Sequence, residues 1–177
     1  SYLQSKNGDP VLFISIEMTS EQLTERMISN VTKITNERIR QMTLNEHDMS
    51  VMMGKSGEEL ASLPLYIVHE PRINMNKIRY LIKNAIEEHK IKSVFIDYIG
   101  LISARDRKIQ RHLQVGEITK ELKAIVNEYR IPIFALSQLN RETEKGKTVT
   151  RPTLADLRES GSIEQDADIV ILLHASN

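Results

Sequence analysis

Three polar side chains stand where apolar runs of this sequence end, and together they could handle a phosphate. They are Glu17, Asp97 and Gln138. A carboxylate at the end of a buried strand needs a cation, water or a hydrogen-bond donor beside it, because an unpaired buried charge is costly. One carboxylate can hold the Mg²⁺ of a nucleotide while another orients and deprotonates a water, and a neutral amide can contact the terminal phosphate. The simpler alternatives are that Asp97 caps the following turn and that Glu17 caps the following helix.

The elements that must position these side chains alternate along the chain. Five short apolar runs rich in β-branched residues predict strands buried on both faces, at residues 11–16, 65–68, 93–98, 131–137 and 168–173. Strands separated by helices form parallel β–α–β units, whose ligands bind outside the carboxyl ends of the strands. The predicted fold is therefore α/β, a mostly parallel sheet flanked by helices on both faces in three layers, with the three polar side chains on one rim.

Apolar residues at helical spacing predict the connections. They are Leu23, Met27 and Val31 in a first helix, Met75, Ile78, Ile82, Ala85 and Ile86 in a second, and Leu113, Ile118, Leu122, Ile125 and Tyr129 in a third that starts near Ile109. The first helix begins at a capping box of Thr19 and Gln22. Residues 35–63 predict short peripheral helices, and residues 1–7 predict the last turns of a helix that ends at Gly8.

The composition favours one folded domain in a reducing compartment. The chain has 177 residues, 24 Lys and Arg against 24 Asp and Glu, and no Cys. This length supports one sizeable core, zero net charge excludes a general basic coat for nucleic acid, and the absence of Cys excludes disulfides and thiolate chemistry. The sequence contains neither a signal-peptide core nor an apolar run of about 20 residues. We therefore expect a cytoplasmic protein without a membrane span, whose nucleic-acid contacts come from local Lys and Arg clusters.

A phosphate cradle of the P-loop type is missing from the sequence. Such a loop needs Gly, four residues and then Gly-Lys-Ser or Gly-Lys-Thr between a strand and a helix, so that backbone N–H groups surround the phosphates. Residues 54–56 and 146–148 read Gly-Lys-Ser and Gly-Lys-Thr, but Met49 and Arg141 stand where the first Gly belongs. Neither segment is expected to bind a phosphate, and the chain is expected to begin just after the place where a P-loop would stand.

Four segments of the chain carry recognisable motifs. They are residues 14–18 (Ile-Ser-Ile-Glu-Met), 94–101 (Val-Phe-Ile-Asp-Tyr-Ile-Gly-Leu), 135–141 (Ala-Leu-Ser-Gln-Leu-Asn-Arg) and 156–168 (Asp-Leu-Arg-Glu-Ser-Gly-Ser-Ile-Glu-Gln-Asp-Ala-Asp). In this order they resemble the motifs of bacterial and phage replicative DNA helicases of the DnaB type. The resemblance covers nearly the whole chain. It implies a RecA-like ATPase domain of a ring-shaped homo-hexamer that uses ATP and Mg²⁺ to move 5′ to 3′ on single-stranded DNA, with a primase and a helicase loader as partners.

The resemblance also implies roles for individual residues. Glu17 resembles the catalytic glutamate that activates water, Asp97 the Walker B aspartate on Mg²⁺, and Gln138 the sensor of the γ-phosphate. Two segments resemble the DNA-binding loops of the central channel, where phosphate contacts need no base recognition: Arg158, Glu159 and Gly161 in one, and Arg105, Arg107 and Lys108, followed by Arg111, in the other. The alternative for the second segment is a solvated helix start.

The chain departs from the family pattern in three ways. Gly100 replaces a glutamine, the P-loop is missing, and the sequence stops before the basic residues with which the family reaches the neighbouring nucleotide. We therefore expect residues 1–177 to be one RecA-like helicase ATPase domain fragment that lacks the P-loop and the C-terminal strands, and that is inactive alone. The alternatives are another RecA-like ATPase of recombination or repair, and a non-catalytic DNA-binding or ring-assembly module.

Overall fold

Four parallel strands form the sheet of the computed structural model, which describes residues 1–104, 110–139, 151–154, 156–157 and 161–174. The strands are β1 (Val11–Ser15), β2 (Leu65–His69), β3 (Ser93–Asp97) and β4 (Ile133–Ala135), in the order β2-β1-β3-β4. The register places Ser15 of β1 opposite both His69 of β2 and Asp97 of β3. The carboxyl ends of these three strands therefore lie side by side at one edge.

Helices connect the strands and cover both faces of the sheet. They are α1 (Tyr2–Lys6), α2 (Ser20–Thr32), α3 (Asn36–Arg40), α4 (Glu46–Met53), α5 (Lys55–Ala61), α6 (Met75–His89), α7 (Arg111–Tyr129) and α8 (Gly161–Asp166). The crossovers of parallel strands are right-handed, so α2 to α5 cover one face while α6 and α7 cover the other and contact each other. The three-layer α/β fold is thus confirmed. Within the described ranges no helix is long and apolar enough to cross a bilayer.

The core lies between the two central strands and the α6–α7 layer. It is built from aliphatic side chains, among them Leu12, Ile14, Val94, Ile96, Ile78, Ile82, Ile118 and Ile125. The predicted stripe of α6 is buried, but that of α7 is wrong at Leu113, whose side chain is 51% exposed. Leu113 lies five residues before Ile118, about 140° around the helix. Val115 faces the core instead, together with Ile118.

The predicted helix ends are confirmed in detail. Thr19 accepts a hydrogen bond from the Gln22 N–H at 3.3 Å, and the Gln22 side chain accepts one from the Thr19 N–H at 3.1 Å. This reciprocal pair is the predicted capping box of α2. Helix α1 ends just before Gly8, whose φ of 87° is accessible mainly to glycine. The segment between α2 and β2 forms the expected short helices.

The strand predictions fail where a neighbouring strand is absent. β2 and β4 were expected to be buried on both faces, but β2 is half-buried and β4 is mostly exposed, because they end the described sheet. Residues 168–173 form no strand, and their alternate side chains are exposed: Ile169 80%, Ile171 74% and Leu173 84%. No described strand lies beside this run, and an ion pair holds Asp168 on Lys123 of α7 instead. Apolar alternation alone does not make a strand without a pairing partner.

Candidate active site

The carboxyl ends of β1 and β3 border a crevice in the sheet. The connection after β1 leads to β2, whereas the connection after β3 leads the other way, to β4. Sheets of this kind bind ligands where neighbouring connections diverge in this manner. Asp97 ends β3, and its carbonyl accepts a hydrogen bond from the Ile16 N–H at 2.8 Å, so the two chains stay paired up to the residue before Glu17. Glu17 and Asp97 therefore stand on the two sides of this crevice.

A tight turn presents Glu17 at the rim. The buried Ser15 hydroxyl donates to the Met18 carbonyl at 2.6 Å and accepts from the Met18 N–H at 3.1 Å, which closes the chain around Glu17. Helix α2 then starts at the Thr19 cap, so Glu17 does not cap it, and that alternative is wrong. Glu17 is exposed at the mouth of the crevice and is free to act on a solvent molecule.

Electrostatics distinguish Asp97 from an ordinary surface carboxylate. Burial raises the pKa of Asp97, the nearby Glu17 carboxylate raises that pKa further, and Arg26 opposes the shift. The turn after β3 begins at Tyr98 without a side-chain cap, so the capping role considered for Asp97 is not found. Two carboxylates that repel each other at a strand edge create a negative potential, which a divalent cation would relieve.

Gln138 lies on the same rim, beyond β4. The Leu136 N–H donates to the Ile96 carbonyl, and the Leu136 carbonyl accepts from the Ile99 N–H, both at 3.0 Å. The chain thus stays beside β3 past the end of β4, and Gln138 follows two residues later with an exposed side chain. The structure brings Gln138 to the edge that Glu17 and Asp97 share, as the strand pattern predicted.

Arg26 is a charged neighbour of the crevice that the sequence analysis missed. It lies two turns into α2, it is exposed, and its charge lowers the pKa of Asp97. Its position in the sequence was a usable signal. Arg26 is a cation about two turns into a helix that starts shortly after Glu17, and helical side chains tilt toward the N-terminus, which here lies near the strand edge. Arg26 could therefore contribute positive charge to a phosphate bound beside Asp97.

The predicted DNA-binding residues fall mostly outside the described ranges. These are Arg105, Arg107, Lys108, Arg158 and Glu159. Gly161 is described and is the first residue of α8, while Arg111 is the first residue of α7. Arg111 donates hydrogen bonds to the Gly100 carbonyl and, at 2.7 Å, to Gln114 Oε1. Both described residues thus begin helices that continue from the predicted loops.

An apolar cavity of about 310 Å³ is separate from this rim. It lies under α2 and is closed by α4, α5 and β2, with Met27, Met52, Leu60 and Ile67 among the side chains of its wall. None of the lining residues is titratable. The cavity therefore offers no group for acid–base or phosphate chemistry, and the strand edge remains the candidate active site.

Comparison with known proteins identifies the family. The family model described as DnaB-like helicase C terminal domain matches residues 1–177. The chain belongs to this family. This DnaB-like chain is 40% identical over 167 residues to a probable replicative DNA helicase of Trieres chinensis, a match that covers 93% of this chain and 36% of that protein. It is also 40% identical over 162 residues to the replicative DNA helicase DnaB of Rickettsia bellii, covering 92% of this chain and 32% of that protein.

Solved structures agree with the DnaB-like assignment. A solved structure described as an ATPase domain superposes with a TM-score of 0.84 at 29% identity, covering 93% of this chain and 58% of that one. A DnaB-like replicative helicase, described together with its interactions with primase, gives 0.82 at 30% identity, covering 93% and 41%. The fold is therefore the RecA-like ATPase fold of DnaB-like helicases. The chain spans about a third of the length of the curated relatives it matches.

Proposed function

We propose that the whole protein is a replicative DNA helicase that couples ATP hydrolysis to 5′-to-3′ movement on single-stranded DNA and to duplex unwinding. The observation that carries this proposal is the placement of Glu17 and Asp97 on the two sides of the strand-edge crevice, in a chain of the DnaB-like family. Phosphoryl transfer to water requires mainly positioning and charge stabilisation. The carboxylates could position the water and hold a Mg²⁺ ion that would supply the stabilising charge, and the amide could contact the phosphate. Residues 1–177 are then a fragment of the RecA-like ATPase domain.

Each rim residue takes one part of the hydrolysis. The paired carboxylates suit Mg²⁺, which prefers oxygen ligands, and Asp97 would hold the ion together with the nucleotide. When bound, Mg²⁺ offsets the charge of the phosphate oxygens. Glu17, exposed at the mouth, orients the attacking water and accepts its proton. Gln138 hydrogen-bonds the terminal phosphate, and its neutral amide both donates and accepts.

The proposed DNA contacts and partners follow from the same reading. Arg158, Glu159 and Gly161, and separately Arg105, Arg107 and Lys108, contact the phosphates of single-stranded DNA in the channel of a homo-hexamer. Backbone N–H groups beside a glycine and Lys or Arg side chains bind phosphates without reading bases. A primase and a helicase loader bind the ring, and the assembly works in the cytoplasm. The similarity to a DnaB-like helicase described with primase supports the primase part.

Replacing the proposed base tests the catalytic assignment. In the whole protein, Glu17→Gln should lower DNA-stimulated ATP hydrolysis at least about 100-fold, because general base catalysis contributes that much or more. Glu21→Gln is the matched control, since Glu21 is an exposed carboxylate in the first turn of α2 and has no role in the proposed hydrolysis. The isolated 177 residues, which contain no Walker A motif, should show no turnover. Full activity of the Glu17 variant, or Mg²⁺-dependent turnover by the isolated chain, would contradict the proposal.

A further inference from the structure

Helices α7 and α8 pack closely against each other at Gly116 and Thr119. The buried Thr119 hydroxyl lies 2.5 Å from Asp166 Oδ2 and 3.1 Å from the Gly116 carbonyl, so both oxygens share its proton. One turn earlier, Gly116 faces Ser162. A Cβ at position 116 would lie 2.7 Å from the Ser162 Oγ and 3.3 Å from its Cβ. A Cβ at Gly116 would require Ser162 to turn its Oγ away and the two helices to separate by a few tenths of an ångström.

The two helices run parallel, with their first residues at the same end. Three contacts follow in the same order along both segments: Gly116 with Ser162, Thr119 with Asp166, and Lys123 with Asp168. Parallel packing brings Arg111, the first residue of α7, to the same end of the pair as Gly161, the first residue of α8. Both of the proposed DNA-contacting segments therefore lead into one helix pair.

Helix α7 is also tied to the strand that carries Asp97. The Arg111 guanidinium donates to the Gly100 carbonyl, three residues beyond Asp97. Gly100 belongs to the turn Ile99–Leu101, which is fixed to the segment just after β4 by the bond from the Ile99 N–H to the Leu136 carbonyl. The start of α7 is thus held against the rim, and α8 is the element whose position depends on its contacts with α7.

We propose that Gly116, Thr119, Ser162 and Asp166 are positioning residues for single-stranded DNA. Their contacts fix α8, and with it Gly161, beside the start of α7. The inference rests on the proposed function, because it takes the Gly161 end of α8 to face DNA. Hydrogen bonds to phosphate require donors within about 3.2 Å, so a small shift of α8 removes them. A site that is held ready also loses less freedom on binding.

The test adds a methyl group to α7 at Gly116 and then removes the atoms of α8 that this group meets. In the whole protein, Gly116→Ala crowds Ser162 and separates the two helices slightly, and strain of this kind should weaken binding of an oligo(dT) strand by about fivefold. Ser162→Gly removes both atoms that the new Cβ would meet. Combined with Gly116→Ala, it should restore the affinity in the double variant. Affinity is measured by fluorescence anisotropy well below the melting temperature of each variant.

The control separates positioning from simple loss of stability. Ile78→Val removes a methylene from a fully buried residue of α6 and should lower the melting temperature without changing the DNA affinity. If Gly116→Ala does not fold, Thr119→Val removes the hydroxyl that binds Asp166 and should weaken DNA binding in the same way, whereas Thr119→Ser should retain it.

The outcomes distinguish this inference from the proposed function. A wild-type protein that binds the strand, together with variants that bind it equally well, would overturn the positioning role and leave the helicase proposal intact. Failure of Ser162→Gly to restore the Gly116→Ala affinity would also overturn it. A wild-type protein that does not bind the strand would overturn both.

Discussion

Two carboxylates of unlike environment define the chemistry of the rim. Glu17 is exposed, whereas Asp97 is half-buried and its pKa is raised by burial and by Glu17. Such a difference suits a division in which the exposed group exchanges protons with water and the buried one holds a cation. The folded chain alone therefore does not fully stabilise the ionised form of Asp97. The same negative charge attracts a cation to the rim.

The raised pKa of Asp97 predicts a stabilising Asp97→Asn variant. A folded-state pKa above the unfolded value means that ionisation of Asp97 weakens the fold. The penalty is absent below the unfolded pKa of about 3.9, grows as pH rises from there through the folded pKa, and is complete above it. Without nucleotide, Asp97→Asn should therefore melt at a higher temperature than the wild type at pH 7, and the difference should vanish near pH 3.

Glu21→Gln serves as the control, because the change in melting temperature expected for it has the opposite sign. Hydrogen bonds from the backbone and from Thr19 lower the pKa of Glu21, so its ionised form favours the fold. Calorimetry at neutral pH should show a melting temperature no higher than that of the wild type. A rise for both variants would mean that removing any negative charge stabilises the chain, and the specific account of Asp97 would be wrong.

Arg158 is the residue on which the DNA-channel proposal can be tested alone. In the whole protein, Arg158→Ala should weaken binding to single-stranded DNA for every sequence, because a phosphate contact carries no base information. The slope of log affinity against log salt should become shallower by about 0.7, the value for one lost single-strand phosphate contact. Unchanged affinity and slope would remove Arg158 from the interface. Arg130, at the far end of α7, is a matched control for loss of one positive charge.

For single residues, the sequence predicted where the candidate side chains lie in the fold better than it predicted which side chains contact each other. Glu17, Asp97 and Gln138 were expected on one rim because parallel strands share a carboxyl edge, and the structure places them there. Arg26 was missed because its charge acts on Asp97 of a different element, and the sequence does not show how α2 packs relative to β3. The contact of Gly116 with Ser162 joins residues far apart in sequence and could not be read from either segment.

The N-terminal cap of helix α2 affects both the stability of the fold and the placement of Glu17 on the rim. Its capping box follows Glu17 by two residues, so the same turn starts the helix and presents the proposed base. Thr19→Ala removes the cap and should cost about 1 kcal/mol. For a chain of this length, that lowers the melting temperature by about 2–4 °C. ATP hydrolysis by the whole protein should also fall, because the Glu17 turn loses its fixed end.

Thr35→Ala is the matched variant for this cap. Thr35 caps α3 by accepting from the Arg38 N–H, and α3 carries none of the proposed site residues. A similar loss of stability is expected, with hydrolysis unchanged. Equal losses of hydrolysis in both variants would show that activity follows global stability and not the geometry of the turn.

Element type was predictable where periodicity and caps agreed, and burial was not. The capping box, the α6 stripe and the central strands came from local pattern, because each involves contacts within a few residues or a fully buried run. The burial of β2 and β4, and the strand at residues 168–173, depended on which strands lie next to them. That information belongs to the whole sheet and is absent from any one segment.

The whole chain combines a well-packed centre with an apolar margin. β1 and β3 are buried, while two other segments expose apolar side chains: Phe134 and Leu136 at and after β4, and Ile169, Ile171 and Leu173 in the last described segment. β-branched residues that alternate in an exposed run have a high tendency to pair with another chain, and an exposed strand edge offers the template. The zero net charge provides little repulsion against such pairing.

This margin predicts concentration-dependent association of the isolated 177-residue chain. Ile171→Lys places a charge in the middle of the exposed run and should lower the apparent mass in light scattering, because a charge on a pairing strand opposes association. Met42→Lys is the matched control: Met42 is equally exposed but lies in a turn after α3, outside any strand-prone run. It should leave association unchanged although it adds the same charge. If both substitutions reduce the mass equally, net charge governs association, and the run at residues 169–173 is not the surface through which the chains meet.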